Sequence, residues 1–126
     1  MKTAYAFRSA VSYPDVGAES RRLPEGKGRA RFLKHINRIG FDGLELGLES
    51  IGGMDATKKS ATELREELED YGTPCVAVRG GGGFHSPETA ASNRKNIEKV
   101  IEVASWLGAD IVNTSTGTPL RHPGQP

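Results

Sequence analysis

The stretch Gly72–Gly117, GTPCVAVRGGGGFHSPETAASNRKNIEKVIEVASWLGADIVNTSTG, decides the fold. It contains a short apolar run, four consecutive glycines from Gly80 to Gly83, a long segment with helical periodicity, and a second apolar run, Asp110–Thr114. The helical segment opens at Ser86-Pro87, and a hydroxyl residue followed by proline is a typical helix start. The order strand, glycine loop, helix, strand predicts a βαβ unit with parallel strands.

The same unit recurs along the chain. Strands are predicted at Lys2–Arg8, Gly43–Leu48, Pro74–Arg79 and Asp110–Thr114. The apolar residues between them predict one helix over Arg29–Ile39 and a second with a capping-box pattern at Ser60-Ala61-Thr62-Glu63. The second helix is expected to begin there or a few residues earlier. A long loop, Ser9–Gly28, separates the first strand from the first helix. The strand spacing suits successive βα units joined by right-handed crossovers.

Each predicted strand has one face of large apolar side chains and one of small or polar side chains. In the second strand, Leu44 and Leu46 share one face, whereas Glu45 and Gly47 share the other. Central strands of an open parallel sheet are covered on both faces and tend to be apolar throughout. The pattern therefore favours residues 1–126 as one α/β domain, half of a parallel barrel with four strands and three helices. A small open flavodoxin-like sheet is the alternative.

Charge, cysteine content and hydropathy argue against nucleic-acid partners, disulfide bonds and membrane spans. The 126 residues include 17 basic and 16 acidic side chains, a net charge of +1 that gives no reason to expect nucleic acid or an anionic membrane as partner. The single cysteine, Cys75, excludes an internal disulfide and is predicted to pack in the core. No stretch approaches the ~20 apolar residues of a membrane span. We therefore expect a cytoplasmic protein.

Three segments resemble the xylose isomerase-like TIM-barrel family, the sugar phosphate isomerase/epimerase group. IGFDGLELGL (Ile39–Leu48) resembles the family's second strand, and ASNRKNIEKVIEVASWLGADIVN (Ala91–Asn113) resembles its third helix and fourth strand. STGTP (Ser115–Pro119) resembles the loop after that strand. The resemblance covers nearly the whole chain but only half of an eight-unit barrel. It implies that residues 1–126 are a truncated (β/α)8 TIM barrel, the N-terminal half of the full barrel.

The resemblance also implies a function. An intact relative would be a sugar or sugar phosphate isomerase or epimerase that moves a proton next to a carbonyl with help from a divalent metal. The family's metal ligands come mainly from later strands, so we expect none in this chain. The related apurinic endonucleases use histidines at the ends of strands three and four. Asn113-Thr114 stands where the strand-four histidine would be, which argues against a DNA-repair enzyme.

The candidate catalytic residues are Glu45 and His85. Glu45 is the acidic residue of an apolar strand and is predicted to project inward, either as a hydroxyl acceptor for a sugar or as the ion-pair partner of Arg8 or Arg79. His85 follows the four glycines, whose backbone can approach a ligand closely. Histidine titrates near neutral pH, which suits proton transfer. A plain flexible loop over the sheet is the alternative for this segment.

The other candidate residues are substrate-binding ones. They are Arg8, Arg79, Gly81, Gly82 and Asn113, together with Glu45 and His85. Asn113 ends the fourth strand, where a barrel places ligand contacts, although it could equally bond to neighbouring loop backbone. The arginines, His85 and the tail residues Arg121 and His122 would make a cationic mouth suited to a phosphorylated or carboxylated sugar.

Three readings of the whole chain follow. The leading one is the half-barrel of a sugar isomerase or epimerase, with little activity when alone. The second is a non-enzymatic small α/β module that binds an anion or a sugar. In the third, two copies associate through their exposed half-barrel edges to complete one barrel.

Overall fold

The computed structural model describes residues 2–7, 22–81 and 87–115. Four strands, three helices and two 3₁₀ turns occur in these ranges: β1 Ala4–Ala6, α1 Gly26–Ile39, β2 Gly43–Gly47, turns Leu48–Ile51 and Gly53–Asp55, α2 Lys58–Asp70, β3 Cys75–Arg79, α3 Pro87–Leu107 and β4 Ile111–Asn113. The predicted site residues Arg8, Gly82 and His85 lie outside the described residues. The same holds for Ser86, Arg121 and His122.

The described strands form one parallel sheet in the order β1-β2-β3-β4. In a flavodoxin-like sheet the strand order reverses at a switch point, and no reversal occurs here. Sequential order is what consecutive βα units of a barrel produce. The prediction of an α/β fold with four parallel strands and three helices is confirmed, and the order favours the barrel over the open-sheet alternative.

The helices cover one face of the sheet, which we call the outer face. On it, Leu44, Leu46 and Val78 are completely buried. They pack in one apolar cluster with residues of all three helices: Phe32, Leu33 and Ile36 of α1, Ala61, Leu64 and Leu68 of α2, and Val100, Val103, Ala104 and Leu107 of α3. Each large side chain of this kind contributes about 1.5–3 kcal/mol by leaving water. The outer face therefore carries the core.

The helix boundaries differ from prediction at α2. Thr57 is the N-cap, and its side-chain oxygen accepts a 3.1 Å hydrogen bond from the backbone N–H of Ser60. The hydroxyl of Ser60 closes the capping box on the backbone N–H of Thr57. The predicted box starting at Ser60 was therefore wrong by one turn, because an earlier hydroxyl residue competes for the same role.

The apolar spacing of the first and third helices predicts that Ile39 and Ile101 lie on the buried stripes, but both side chains are exposed. Ile39 is 58% exposed, and Ile101 is 55% exposed. Ile39 is the last residue of α1, where Gly40 turns the chain with a φ of 103°. On α3 the buried line instead includes Val103, which was not assigned to the stripe. The apolar periodicity therefore predicted the helices correctly, but its prediction that Ile39 and Ile101 are buried was wrong.

The second and third strands pair with one irregularity. Leu44 pairs with Cys75, but Glu45 pairs with Ala77, so Val76 is an extra residue on β3. Such a bulge changes which face the following side chains occupy. Beyond it, Gly47 pairs with Arg79, which in turn pairs with Asn113. Arg79 therefore lies on the same face as Glu45, the face opposite the helices, which we call the inner face.

Cys75 packs in the apolar core and is 4% exposed. Burial raises the pKa of its thiol from 9.0 to about 12, because the thiolate would lose its hydration. A thiol that stays protonated is a poor nucleophile. The prediction that Cys75 is a packing residue is confirmed.

Candidate functional site

A groove of about 700 Å³ lies at the carboxyl ends of β2, β3 and β4. Its lining includes Glu45, Arg79, Gly81 and Asn113, four of the residues predicted from sequence. The carboxyl ends of parallel strands are where βα barrels place their ligand contacts, because the loops after the strands converge there. The groove is therefore the candidate site.

Glu45 and Arg79 form an ion pair at the base of this groove. The distance from Arg79 Nη1 to Glu45 Oε1 is 3.4 Å, and the two side chains are only 17% and 16% exposed. Arg79 Nη2 also donates to the backbone carbonyl of Phe7, just after β1. A charged group that is largely buried needs such partners because it has lost most of its hydration. The ion-pair alternative predicted for Glu45 is thus observed, with Arg79 as partner.

Asn113 completes the arrangement from β4. Its Nδ2 donates to Glu45 Oε2 at 2.8 Å. Glu45, Arg79, Asn113 and the carbonyl of Phe7 make up what we call the polar network. It joins the ends of all four strands, since its members follow or belong to β1, β2, β3 and β4. Among the described residues, the Asn113 side chain donates to Glu45 and not to loop backbone, which was the alternative left open for it.

Glycines make room around the polar network. A Cβ on Gly47 would lie 3.2 Å from Arg79 Nη2, so the guanidinium lies close over the backbone there. Gly81 has a φ of +72°, which L side chains rarely adopt, and its position beside Thr114 and Ile97 is equally tight. Gly81 thus lines the groove through its backbone, and its role in substrate binding stays a prediction.

Sequence reasoning missed part of the groove. The carbonyl of Phe7 could not be found, because a backbone acceptor carries no residue-type signal. Thr114 and Ser115 also line the groove; they follow β4 directly, so the strand-end argument used for Asn113 would have found them. Glu49 and Asn96 contribute from the turn after β2 and from α3, and no spacing rule points to either.

The described residues do not fit a divalent metal. Within 2–7, 22–81 and 87–115, no three histidine, cysteine or acidic side chains converge as metal ligands. Both oxygens of Glu45 accept hydrogen bonds from Arg79 and Asn113. Divalent cations need several donors in one shell. A metal with ligands mostly outside this chain stays a prediction.

A second cavity, of about 810 Å³, lies on the helix side of the sheet beside α1 and α2. Arg29, which lines it, donates to the carbonyl of Pro24 and to Glu67 at 2.7 and 2.8 Å. The buried hydroxyl of Ser50 has no hydrogen-bond partner among the described residues. Because this cavity lies on the helix side of the sheet, and barrels place their ligand contacts at the carboxyl ends of the strands, it is a weaker candidate than the groove.

None of the described helices is long and apolar enough to cross a membrane.

Parallel strands in chain order, helices on one face and a groove at the strand ends define an α/β protein of the βα-barrel type. A family model described as xylose isomerase-like TIM barrel matches residues 33–126. The match covers more than half of the chain, so the protein belongs to the xylose isomerase-like TIM-barrel family, as its motifs predicted. Comparison with curated proteins and with solved structures returned no match. The family points to sugar-processing isomerases and epimerases as a class.

Proposed function

We propose that this chain is the substrate-positioning half of a sugar isomerase or epimerase, which transfers a proton next to the sugar carbonyl. The observation that carries the proposal is the polar network beside the groove. It gathers a carboxylate, a guanidinium and an amide at the strand ends. Such groups bind sugar hydroxyls by directed hydrogen bonds. Family membership supplies the reaction class.

The roles divide between two residues. Glu45 has both carboxylate oxygens engaged by protein donors, which favours holding a hydroxyl over abstracting a proton from carbon. His85 is the proposed acid/base group, on the sequence argument that histidine titrates near the working pH. Any divalent metal would be held by residues beyond those described.

The inner face supports the proposal that further strands complete the barrel around this groove. Ile111 of β4 is 54% exposed, and it pairs with Ala77 on the inner face. A barrel interior is filled by side chains from all its strands, so partner strands would bury this residue. A self-sufficient binding module would leave it in water, which disfavours the module. Two copies pairing edge to edge remain an alternative source of those strands.

The test is proton exchange catalysed by the intact protein. Aldoses and ketoses are incubated with it in deuterated water, and proton NMR follows deuterium entering the carbon next to the carbonyl together with formation of the isomer or epimer. We expect His85→Gln to remove most of the exchange. His35→Gln changes an exposed histidine on α1 and should leave it intact. Absence of exchange with every sugar tested would contradict the proposed function.

The further strands could come from a longer polypeptide or from a second copy, and the mass of the particle in solution distinguishes the two. Sedimentation of the 126-residue chain at several concentrations should give a monomer if strands elsewhere in a longer polypeptide complete the barrel. A concentration-dependent dimer would instead favour two copies.

A further inference from the structure

The exposed side of α1 carries a row of positive charges. The helix contains five lysine and arginine residues, one histidine and no acidic residue. Arg31, Lys34 and Arg38 are exposed and stand at positions i, i+3 and i+7, which places them on one face. The buried side chains of α1 lie on the opposite face. We call Arg31, Lys34 and Arg38 the basic stripe.

The exposed side of α2 carries a row of negative charges with the same spacing. Glu63, Glu66 and Asp70 are exposed and again stand at i, i+3 and i+7, opposite the buried side chains of that helix. We call these three residues the acidic stripe. When two helices lie side by side in the same direction, the basic stripe of one matches the acidic stripe of the other position by position.

The two stripes are neighbours on one surface of the molecule. An ion pair of 2.8 Å between Arg29 and Glu67 joins α1 to α2. Each helix leads from one strand of the parallel sheet to the next, so the two helices run in the same direction. A two-fold axis parallel to the helices would lay α1 of one copy on α2 of another, and α2 on α1, with their directions still matched.

In that arrangement opposite charges face each other at three positions, and each pair occurs twice. The pairs are Arg31 with Glu63, Lys34 with Glu66, and Arg38 with Asp70. One helical turn earlier, two exposed like charges, Lys27 and Lys59, face each other instead. The charge complementarity therefore extends over three positions and ends at the fourth.

Each stripe has an electrostatic reason to bind an opposite charge. Like charges spaced by three or four positions destabilise a helix, so a stripe without counter-charges costs stability. Neither Lys34 nor Arg38 forms an ion pair within the described part of the chain. No member of the acidic stripe forms one with another described residue. A surface of opposite charge would relieve the repulsion in both helices.

We infer that the outer surface of α1 and α2 binds the same surface of a second copy, basic stripe on acidic stripe, to form a weak two-fold dimer. Two helices about 20 Å long and about 10 Å wide present about 400 Å² per copy. Stable complexes bury about 800 Å² per partner, so this contact is small and depends on charge. The inference goes beyond the proposed function and does not depend on it, because the stripes lie on the helix side of the sheet and the groove lies at the strand ends.

The first test is sedimentation equilibrium of the 126-residue chain in low and high salt. The Debye length is about 30 Å in about 10 mM salt and about 3 Å in about 1 M salt, so high salt screens exposed ion pairs. Up to about 1 mM protein, we expect a monomer–dimer equilibrium whose Kd rises at least about tenfold in high salt. A monomer throughout the low-salt series would overturn the inference. So would a dimer of equal strength in both salts, which would favour pairing through the strand edges.

Charge reversal with complementation is the second test. Lys34→Glu with Arg38→Glu makes the basic stripe acidic, and Glu66→Lys with Asp70→Lys makes the acidic stripe basic. Each double variant should be monomeric at low salt, because it repels its own copy in both halves of the interface. An equal mixture of the two should restore a dimer, since every facing pair is again opposite. Circular dichroism checks that both variants stay folded, and a mixture of folded variants that stays monomeric would contradict the pairing of the stripes.

The like-charge contact gives a test in which the dimer becomes stronger. Lys59 faces Lys27 in the register above, so Lys59→Glu should lower the Kd several-fold at low salt. Lys58→Glu is the matched control, because it makes the same charge change at the next exposed position of α2, about 100° away around the helix. Its effect should be smaller. Equal effects of the two variants would mean that net charge, and not the register of the stripes, governs association, and would overturn the inference.

Discussion

The two faces of β2 are buried by different kinds of contact. On the outer face, Leu44 and Leu46 have no exposed surface and touch apolar side chains from the three helices. On the inner face, Glu45 is held by a cation and an amide from the two following strands. Apolar contact tolerates small shifts in direction, whereas hydrogen bonds require set distances and angles. The outer face therefore contributes most of the folding stability, and the hydrogen bonds of the inner face determine where the polar atoms lie.

The largest effect should come from emptying the outer face. Phe32 of α1 is completely buried and packs edge-on against the rings of Tyr5 and Phe7, at 5.9 and 5.5 Å between centroids. Phe32→Ala should lower the free energy of unfolding by about 3–5 kcal/mol, since it creates a cavity. Urea denaturation measures this. Ile39→Ala, on the same helix but exposed, should cost far less, and equal losses would mean that α1 does not pack as described.

A smaller loss is expected from cutting the inner-face ion pair. Arg79→Met leaves Glu45 and the carbonyl of Phe7 without that donor, which should cost about 1–3 kcal/mol of unfolding free energy. Combined with Glu45→Gln, the loss should be less than additive, with a coupling of about 0.5–3 kcal/mol. The exposed pair Arg65–Glu69 is the control, where the expected coupling is about 0.3–0.5 kcal/mol. Equal couplings would refute a special role for burial.

Replacing either of two glycines of β2 by alanine adds one methyl group, and the two replacements should affect stability differently. A Cβ on Gly43 would lie 2.7 Å from the carbonyl oxygen of Pro74, which is backbone and cannot easily move. Gly43→Ala should therefore cost about 1–3 kcal/mol of unfolding free energy. Gly47→Ala meets only the movable end of Arg79 at 3.2 Å, so stability should change little. Its effect should appear in sugar binding by the intact protein, and an unfolding loss as large as that of Gly43→Ala would contradict this.

The smallest effect concerns Cys75. The buried thiol, with its pKa raised to about 12, should resist iodoacetamide at pH 8 in the native protein and react once urea unfolds it. An unfolded thiol ionises near 9, so the folded state holds its proton longer, and stability should fall as the pH rises from about 9 towards 12. Ser115→Cys places a thiol at the exposed groove and should label at once. Rapid native labelling of Cys75 would show that the outer face is not sealed.

Most of the fold could be predicted from sequence because it depends on the period of the apolar residues and on the glycines that end helices. Leucines alternating with Glu45 and Gly47 identified β2 and its two faces. Gly40, Gly72 and Gly108, with φ values of 103°, 70° and 74°, mark the turns that end the helical segments. These signals are local, so a single sequence carries them. The strand order then followed from the repeat of βα units.

The site was predictable only where a side chain carries the signal. Glu45, Arg79 and Asn113 were assigned to one end of the sheet because they lie at strand ends or on an inward face. Which atoms meet depends on the register between strands far apart in sequence. The bond between Asn113 and Glu45 spans 68 positions, and no local pattern encodes its distance.

The extra residue in β3 has a consequence for how this protein can change during evolution. Deleting Val76 would leave Glu45 opposite Ala77 and Gly47 opposite Arg79, so Arg79 would keep its place on the inner face. Deleting Val78 would instead put Arg79 opposite Leu46 and turn it towards the helices. That second mutant would keep every group of the polar network and still lose the ion pair. The same strand therefore tolerates the loss of one codon at the bulge, whereas the loss of one codon just beyond it would abolish the site.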